Sequence, residues 1–360
     1  LVKLLGESGG MKIFADYHHG GLYHSLQLMA DDLGAEIYRP VGMDWFNNGY
    51  FGIAEPYGNA IETVRQFLEF DSVPMHDLVP SINYGSLRTD SVFVANDIAH
   101  ESRTYAISFE TFANTDFDVI ICTIPYDLEK FYGLRNTFQP RAKLIYQIGN
   151  PGWSLPEIGK YPNILDSVGM IRDEQRRAYN YLRYHQKFEE EVFYPGEPTD
   201  SKNVTSMILF PEQHHLFEAA KQLLPDYNFV SYGYSPPCDH PQITGISNIA
   251  KIMHDSRFGW HYKTVDGYGH IIHNWFACGR PVIASYEAYR DRQARDLLVD
   301  EETGCNLDGR NIEWIVDFIR RAENPEFYQY LCKQTQLRYK MYVDFEREAK
   351  QIRHFFETLI

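Results

Sequence analysis

Basic charge is in short supply in this 360-residue chain, where 34 Lys and Arg stand against 49 Asp and Glu for a formal charge of −15. That balance argues against a protein that mainly coats nucleic acid, because non-specific affinity comes from neutralising phosphates with Lys and Arg; it leaves room for a local basic groove. Long hydrophobic runs are missing as well. The longest strongly apolar stretches, residues 119–125 and 270–278, fall well short of the ~20 residues a transmembrane helix needs, so no membrane span is expected. Cysteine is scarce. Cys122, Cys238, Cys278, Cys305 and Cys332 are scattered, odd in number and never spaced Cys-x-x-Cys, which indicates neither a disulfide framework nor a zinc knuckle and fits a reducing, cytoplasmic compartment. No internal repeat or low-complexity segment is visible. Residues 1–10 have only Leu1-Val2 and Leu4-Leu5 as apolar pairs and lack the small-residue cleavage site of a secretory signal. Met11 is the expected natural first residue, with the preceding ten an appended segment.

Apolar residues are plentiful by comparison. At 44% hydrophobic and 23% charged, the chain is a folded globular protein whose length favours about two domains with a cleft between them. Aromatics reach 15%, with 26 Tyr, 23 Phe and 5 Trp. Sugars and bases both stack on aromatic faces, although a Tyr-rich core and surface is the plainer reading.

The apolar pattern divides the chain into two α/β lobes. Residues 11–17 read as a short buried strand, followed by the glycine loop His18-His19-Gly20-Gly21. A helix follows with Leu22, Leu26, Met29 and Leu33 on one face, ending at Gly34. Residues 35–38 begin the next strand, and residues 91–95, 119–123 and 144–148 read as further parallel strands. Residues 172–193 lack Gly and Pro and are expected to form one long helix. Residues 195–201, dense in turn formers, look like a linker. The pattern then restarts, with strands at 204–210, 228–232, 258–261 and 281–285 and helices at 216–224 and 270–278, plus one for which Ser247 is a plausible N-cap. The chain ends in helices over 312–322 and after Pro325. The last, with Ala349, Ile352, Phe356 and Leu359 at helical spacing, is expected to cross back to the first lobe. The expected boundaries are 11–195, 203–340 and a C-terminal helix over 341–360.

The strongest chemical signal runs from Lys263 through Asp266-Gly267-Tyr268-Gly269-His270 to Asn274 and on through Ala277-Cys278-Gly279-Arg280-Pro281-Val282-Ile283-Ala284-Ser285. A strand ends, two glycines let backbone amides approach a ligand, and a helix begins whose free N–H groups and dipole favour an anion. That is a seat for a phosphate or diphosphate, with Lys263 placed to neutralise charge. Asp266 could also simply cap the helix. His270 and His273 share a helix face, but no third ligand stands at a recognisable spacing, so no metal site is expected.

These segments resemble the nucleotide-sugar-dependent glycosyltransferases of the two-Rossmann-lobe, GT-B type, especially the "group 1" family. Its second lobe carries a Glu, a Gly-aromatic-Gly turn, a second Glu eight residues after the first, and an Ala-Cys-Gly-x-Pro-Val-Ile-Ala segment. Asp266 takes the first acidic place, and Asn274 stands where the second Glu commonly binds ribose hydroxyls. An amide there can still hydrogen-bond a diol, without the charge. Gln213, His214 or His215 stands where the family often has a diphosphate-binding Lys. The first-lobe glycine loop, with His24 in the helix behind it, is also similar. By the same resemblance the donor site comprises Gly20, Gly21, Ile246 (in the Thr244-Gly245-Ile246 turn near the base), Lys263, Asp266, Gly267, Tyr268, Gly269, His270 and Asn274. The resemblance touches about residues 11–38 and 204–285.

The implied fold is α/β, with two Rossmann-like lobes, a deep interlobe cleft and the C-terminal helix crossing back. The implied reaction moves a sugar from a nucleotide-diphosphate donor, with UDP-sugar the expected cosubstrate and no other cofactor or metal, to a hydroxyl acceptor. The candidate catalytic bases are His19 and His18, at the end of the first strand where open α/β sheets face their cleft, with Asp97 and Asp127 as alternatives. The acceptor could be a glycan, a small molecule or a hydroxylated base in DNA. For a polyanionic acceptor the expected contact is a basic helix bearing Arg172, Arg176, Arg177, Arg183 and Lys187; Gln147, Asn150 and Trp153 could line the same cleft. Two rival readings remain: a nucleotide-sugar epimerase or phosphorylase on the same scaffold, and a noncatalytic carbohydrate- or nucleic-acid-binding protein.

Overall fold

The computed structural model describes residues 10–15, 20–40, 73–74, 104–107, 109–123, 128–149, 156, 159–171, 173–207, 214–233, 238–241, 243 and 245–360. The expected strand at 91–95, the catalytic candidates His18, His19, Asp97 and Asp127, and also Asn150, Trp153, Gln213 and Thr244, lie outside the described residues, as do residues 1–9.

The first lobe is built on an eight-stranded sheet. Its strands are β1 (Met11–Ala15), β2 (Ala35–Pro40), β3 (Val73–Pro74), β4 (Thr104–Ile107), β5 (Val119–Cys122), β6 (Lys143–Ile148), β7 (Asn163–Asp166) and β8 (Asn180–Arg183), in the spatial order β3-β4-β2-β1-β5-β6-β7-β8. All pairs are parallel except β3 with β4. Strands β5 to β7 are buried almost throughout, which is why they read as continuous apolar runs and not as alternating ones. The second lobe has six parallel strands, β9 (Asn203–Ser206), β10 (Asn228–Gly233), β11 (His240–Pro241), β12 (Phe258–His261), β13 (Val282–Ala284) and β14 (Gly304–Asn306), in the order β11-β10-β9-β12-β13-β14. That is the doubly wound Rossmann order. Its topological switch lies between β9 and β12, and ligands in such sheets bind outside the carboxyl ends of the strands at that point.

Three expectations change here. Residues 172–193 are not a long helix. One helical turn, α4 (Asp173–Arg176), is followed by β8, which adds to the sheet edge beside β7. The absence of Gly and Pro permitted a helix, but Tyr181 and Leu182 pair with Ile164 and Leu165, and Tyr181 Oη donates to Asp166 at 2.9 Å. The basic face disappears with that helix. Arg176 lies over the Tyr181 ring, Arg183 meets Asp296 at 3.3 Å, and Lys187 meets Asp32 at 2.7 Å. Secondly, Gly20 and Gly21 are the first two residues of helix α1 (Gly20–Leu33), not a loop before it. Thirdly, helix α6 (Ile246–Asp255) is capped by Gly245 at φ 85° instead of by Ser247; a glycine admits that backbone angle at no steric cost.

The C-terminal helices fix the lobes together. Helix α8 (Ile312–Arg321) is N-capped by Asn311 and helix α9 (Pro325–Tyr342) by Asn324 with Pro at its start, both favourable termini. Helix α10 (Phe345–Glu357), capped by Asp344, returns to the first lobe. There Ile352, Phe355 and Phe356 join a core with Ile13, Leu26, Met29 and Leu33. Asn163 in β7 stitches down the terminus, donating to Ile360 O at 3.0 Å and accepting from Ile360 N at 3.0 Å. Phe188 and Phe193 pack in the second lobe's core with Phe345 and Tyr339, so the chain crosses between lobes shortly after β8.

Ile352 has no exposure, and truncating it leaves a cavity in the core that α10 shares with β1 and α1. Ile352→Ala is expected to lower unfolding stability by about 2–5 kcal/mol, measured by urea denaturation; an unchanged midpoint would mean that α10 is not docked.

Candidate functional site

Strand β12 ends at the switch point, and the chain turns through residues 262–269 into helix α7 (His270–Ala277). Asp266 organises this turn. Its Oδ1 accepts from Lys263 Nζ at 3.1 Å and from Gly267 N at 2.9 Å. Its Oδ2 accepts from Tyr289 Oη at 2.6 Å and lies 3.2 Å from His261 Nε2. Burial alone would raise the Asp266 pKa. The Lys263 charge and the hydrogen bonds from His261 and Tyr289 outweigh it and hold the carboxyl well below the usual range. Burial pushes His261 downward, and burial together with the Asp266 charge pushes Tyr289 well above its ordinary value. Asp266 is therefore an anion, and Tyr289 a neutral donor, across the working pH range.

Asp266 does not cap α7. The N-cap is Gly269, in the left-handed region at φ 79°, with no side-chain cap bond, so no side chain of the cap competes for the amides that open the helix. A Cβ at Gly269 would stand 2.8 Å from the Tyr289 ring and 3.0 Å from Ala294 Cβ, and both reasons demand glycine. The Tyr268 side chain turns inward instead of toward the cleft. It is buried and lies flat on His273, with ring centroids 4.2 Å apart at 9°. His273 Nδ1 is 2.9 Å from Gly269 O, a bond that ties the turn to the helix. Burial, with His185 adding to it, pushes His273 down to about 3.

The remaining donor-site candidates fall in different places. Lys263 is largely buried against Asp266. Ile246 is completely buried in the second lobe's core, so it supports the site from beneath and offers no surface to a base. Asn274, the expected ribose contact, is also completely buried, and among the described residues neither of its side-chain polar atoms has a hydrogen-bond partner. His270 begins α7. His214 and His215 open helix α5 (His214–Leu223), where His214 meets Glu218 at 3.4 Å. Gln147 is buried and donates to Tyr184 Oη, so it holds the sheet and does not line a cleft. Among the described residues, no group of three His, Cys, Asp or Glu side chains could hold a metal ion.

Sequence reasoning missed the segment after β13. Tyr289 had no signal of its own, while His261 could have been suspected as the last residue of β12. Gln293 was unreadable as well. Its backbone N–H donates to Val168 O at 2.9 Å, and its amide donates to Ser167 O at 2.7 Å and Tyr184 O at 2.6 Å. These bonds clamp the second lobe to the strand ends of the first.

No family model matches the chain, and no curated protein sequence matches it either. Solved structures do match, over nearly its whole length. HepE of Anabaena, in complex with UDP, is 12% identical, covers 97% of this chain and 100% of its own, and superposes with a TM-score of 0.59. Sucrose-phosphate synthase of Thermosynechococcus elongatus is 14% identical over 96% of this chain and 98% of its own, with a TM-score of 0.61. A glycosyltransferase of Rickettsia africae is 11% identical over 98% of this chain and 100% of its own, at 0.60. The chain has the GT-B fold. Within it, the turn at residues 263–269 occupies the second lobe's switch point and the Gln293 clamp spans the two lobes.

Histidine burial makes stability depend on pH. Unfolded His273 titrates near 6.5 and folded His273 at about 3, so between those values the unfolded chain binds more protons. The stability this group contributes is complete above about pH 6.5 and is lost as pH falls toward 3, at about 1.4 kcal/mol per unit. His273→Phe, which keeps a ring on Tyr268, is expected to flatten the stability slope between pH 6 and 4 by about one proton. Denaturant unfolding across that range measures it, and an unchanged slope would show His273 protonated in the fold.

Proposed function

We propose that this protein is a glycosyltransferase that takes a nucleoside diphosphate sugar, with UDP the expected nucleotide, in its second lobe and passes the sugar to a hydroxyl acceptor. The observation that carries this reading is the turn at residues 263–269. A lysine and a Gly269-capped helix start meet at the switch point of a Rossmann lobe, where amides and dipole favour an anion. HepE, which shares the fold, is described in complex with UDP and with UDP-glucose.

In the reaction, the acceptor oxygen forms a bond to the anomeric carbon of the donor. The bond from that carbon to the diphosphate oxygen breaks, and the nucleoside diphosphate leaves with the electron pair. The amides at the start of α7, the helix dipole and Lys263 stabilise that developing charge, and on this reading no metal is needed. The acceptor proton goes to a first-lobe base, for which His19 and His18 are the candidates. A glycan or small hydroxyl compound is favoured over a base in DNA as acceptor, because Arg176, Arg183 and Lys187 are engaged within the protein and form no basic helix. The free state of all five cysteines fits a cytoplasmic setting.

Calorimetric titration with UDP, GDP, ADP and TDP, without added metal, tests the donor site. One of them is expected to bind the wild type, and Lys263→Ala is expected to weaken it by about tenfold or more, since a charge-assisted contact is worth about 1.5–3 kcal/mol. Absence of binding by any of the four would overturn the reading.

A further inference from the structure

The anion seat is short of positive charge. Lys263 faces it, but its ammonium is 3.1 Å from Asp266, so lysine and aspartate largely cancel. What remains is the helix start, equivalent to about half a charge, while a nucleoside diphosphate brings more than one negative charge. A diphosphate site built on this turn therefore needs another cation.

The arginines around the turn are mostly spoken for. Arg183 pairs with Asp296, and Arg290 pairs with Glu287. Arg295 donates to Leu298 O and lies over the Tyr286 ring. Arg292 differs. Among the described residues its guanidinium donates to Asp291 O at 3.3 Å and has no carboxylate within ion-pair distance, and its Nε, like that of Arg183, is buried without a partner. A buried, unmatched donor on a charged group is costly unless something absent from the free protein accepts from it.

Its backbone is anchored beside the seat. Arg292 N donates to Tyr289 O at 2.9 Å, and Tyr289 is the residue that touches Asp266 and lies against Gly269. The next residue, Gln293, is clamped to Val168, Ser167 and Tyr184 of the first lobe. Arg292 thus stands half-buried on the seam, where burial weakens its charge and the carboxylates of its neighbour Asp291, of Asp166 in the first lobe and of Asp266 in the second act to hold it. Asp166 and Asp266 are occupied elsewhere. Asp166 accepts from Val168 N, Gly169 N, Ile171 N and Tyr181 Oη, and Asp266 has the partners given above.

We propose that Arg292 is a donor-binding residue whose guanidinium takes the phosphate charge of the nucleoside diphosphate from the seam, opposite the amides at the start of α7. The inference rests on the donor-site reading. Lys263, shared with Asp266, then supplies part of the charge, and Arg292, whose planar fork suits phosphate oxygens, supplies the rest. Because the Gln293 clamp holds the neighbouring backbone to the first lobe, the cation is in place only while the lobes are joined.

The test compares UDP, by calorimetry, with uridine, by saturation-transfer NMR, on wild type, Arg292→Gln and Arg292→Lys, with thermal melts to establish that each variant is folded. Arg292→Gln is expected to raise the UDP Kd about tenfold or more while uridine binding stays within twofold. The salt dependence of UDP binding should become shallower, and Arg292→Lys should recover part of the loss. Wild-type UDP affinity in Arg292→Gln would overturn the assignment and leave the donor site intact. An equal loss for UDP and uridine would make Arg292 a structural residue and overturn it too. If wild type binds neither UDP nor the GDP, ADP and TDP titrated in parallel, the donor-site reading falls and this inference with it.

Discussion

The buried carboxylate of Asp266 is the constraint on which the second lobe's turn depends. A carboxylate removed from water is tolerable only when it is matched by charge and hydrogen bonds. Here the matching groups come from four places: Lys263 in the loop, His261 at the end of β12, the amide of Gly267, and Tyr289 beyond β13. Satisfying one anion therefore fixes the path of the loop, the register of the segment after β13 and the position of Gly269. The carboxylate of the turn is fully used within the protein, and so Asp266 acts as a scaffold for the turn itself.

The same turn is tied to the first lobe by a second route. Tyr268 stacks on His273, whose ring centroid is 5.5 Å from that of His185. His185, just after β8, is held by Glu348 of α10, which accepts from its backbone N–H at 2.7 Å and lies 2.6 Å from its Nδ1. The returning helix thus packs apolar residues against β1 and α1 and places a buried carboxylate beside a histidine that faces the second lobe. The Gln293 clamp thus joins the lobes by buried hydrogen bonds and this second route joins them by packed rings. Any movement of the lobes has to respect or break them, which ties interlobe geometry to the seat at residues 263–269.

Much of the fold was legible because its elements are locally consistent. Strand β12 was read over 258–261, as observed, and the helix after it differs by one residue at its end. The terminal helices were legible from their apolar spacing and from Pro325, while their caps Asn311, Asn324 and Asp344 came from the structure. Gly269 stands in the turn with a left-handed backbone angle, which glycine adopts at no steric cost. The errors have a common cause. Residues 172–193 offered no local breaker, and only the open edge beside β7 decided for a strand. Ser247 was a good capping residue in the wrong place because Gly245 could take a positive φ. Ile246, Tyr268 and Asn274 entered the expected donor site through the resemblance, and their burial is a matter of tertiary packing that no local pattern carried.

The sequence by itself determined two α/β lobes, the strand-turn-helix unit at residues 258–277 and the chemistry available there, because helix and strand periodicity, glycine and capping are properties of neighbouring residues. Tertiary structure decided which side chains that unit spends on itself. Lys263 is matched by Asp266, and Tyr289, His261, Gln293 and Arg292 enter the site from positions whose partners lie as far as 126 residues away in the chain. Those assignments depend on desolvation and on distances between separate elements, and no local pattern encodes either one.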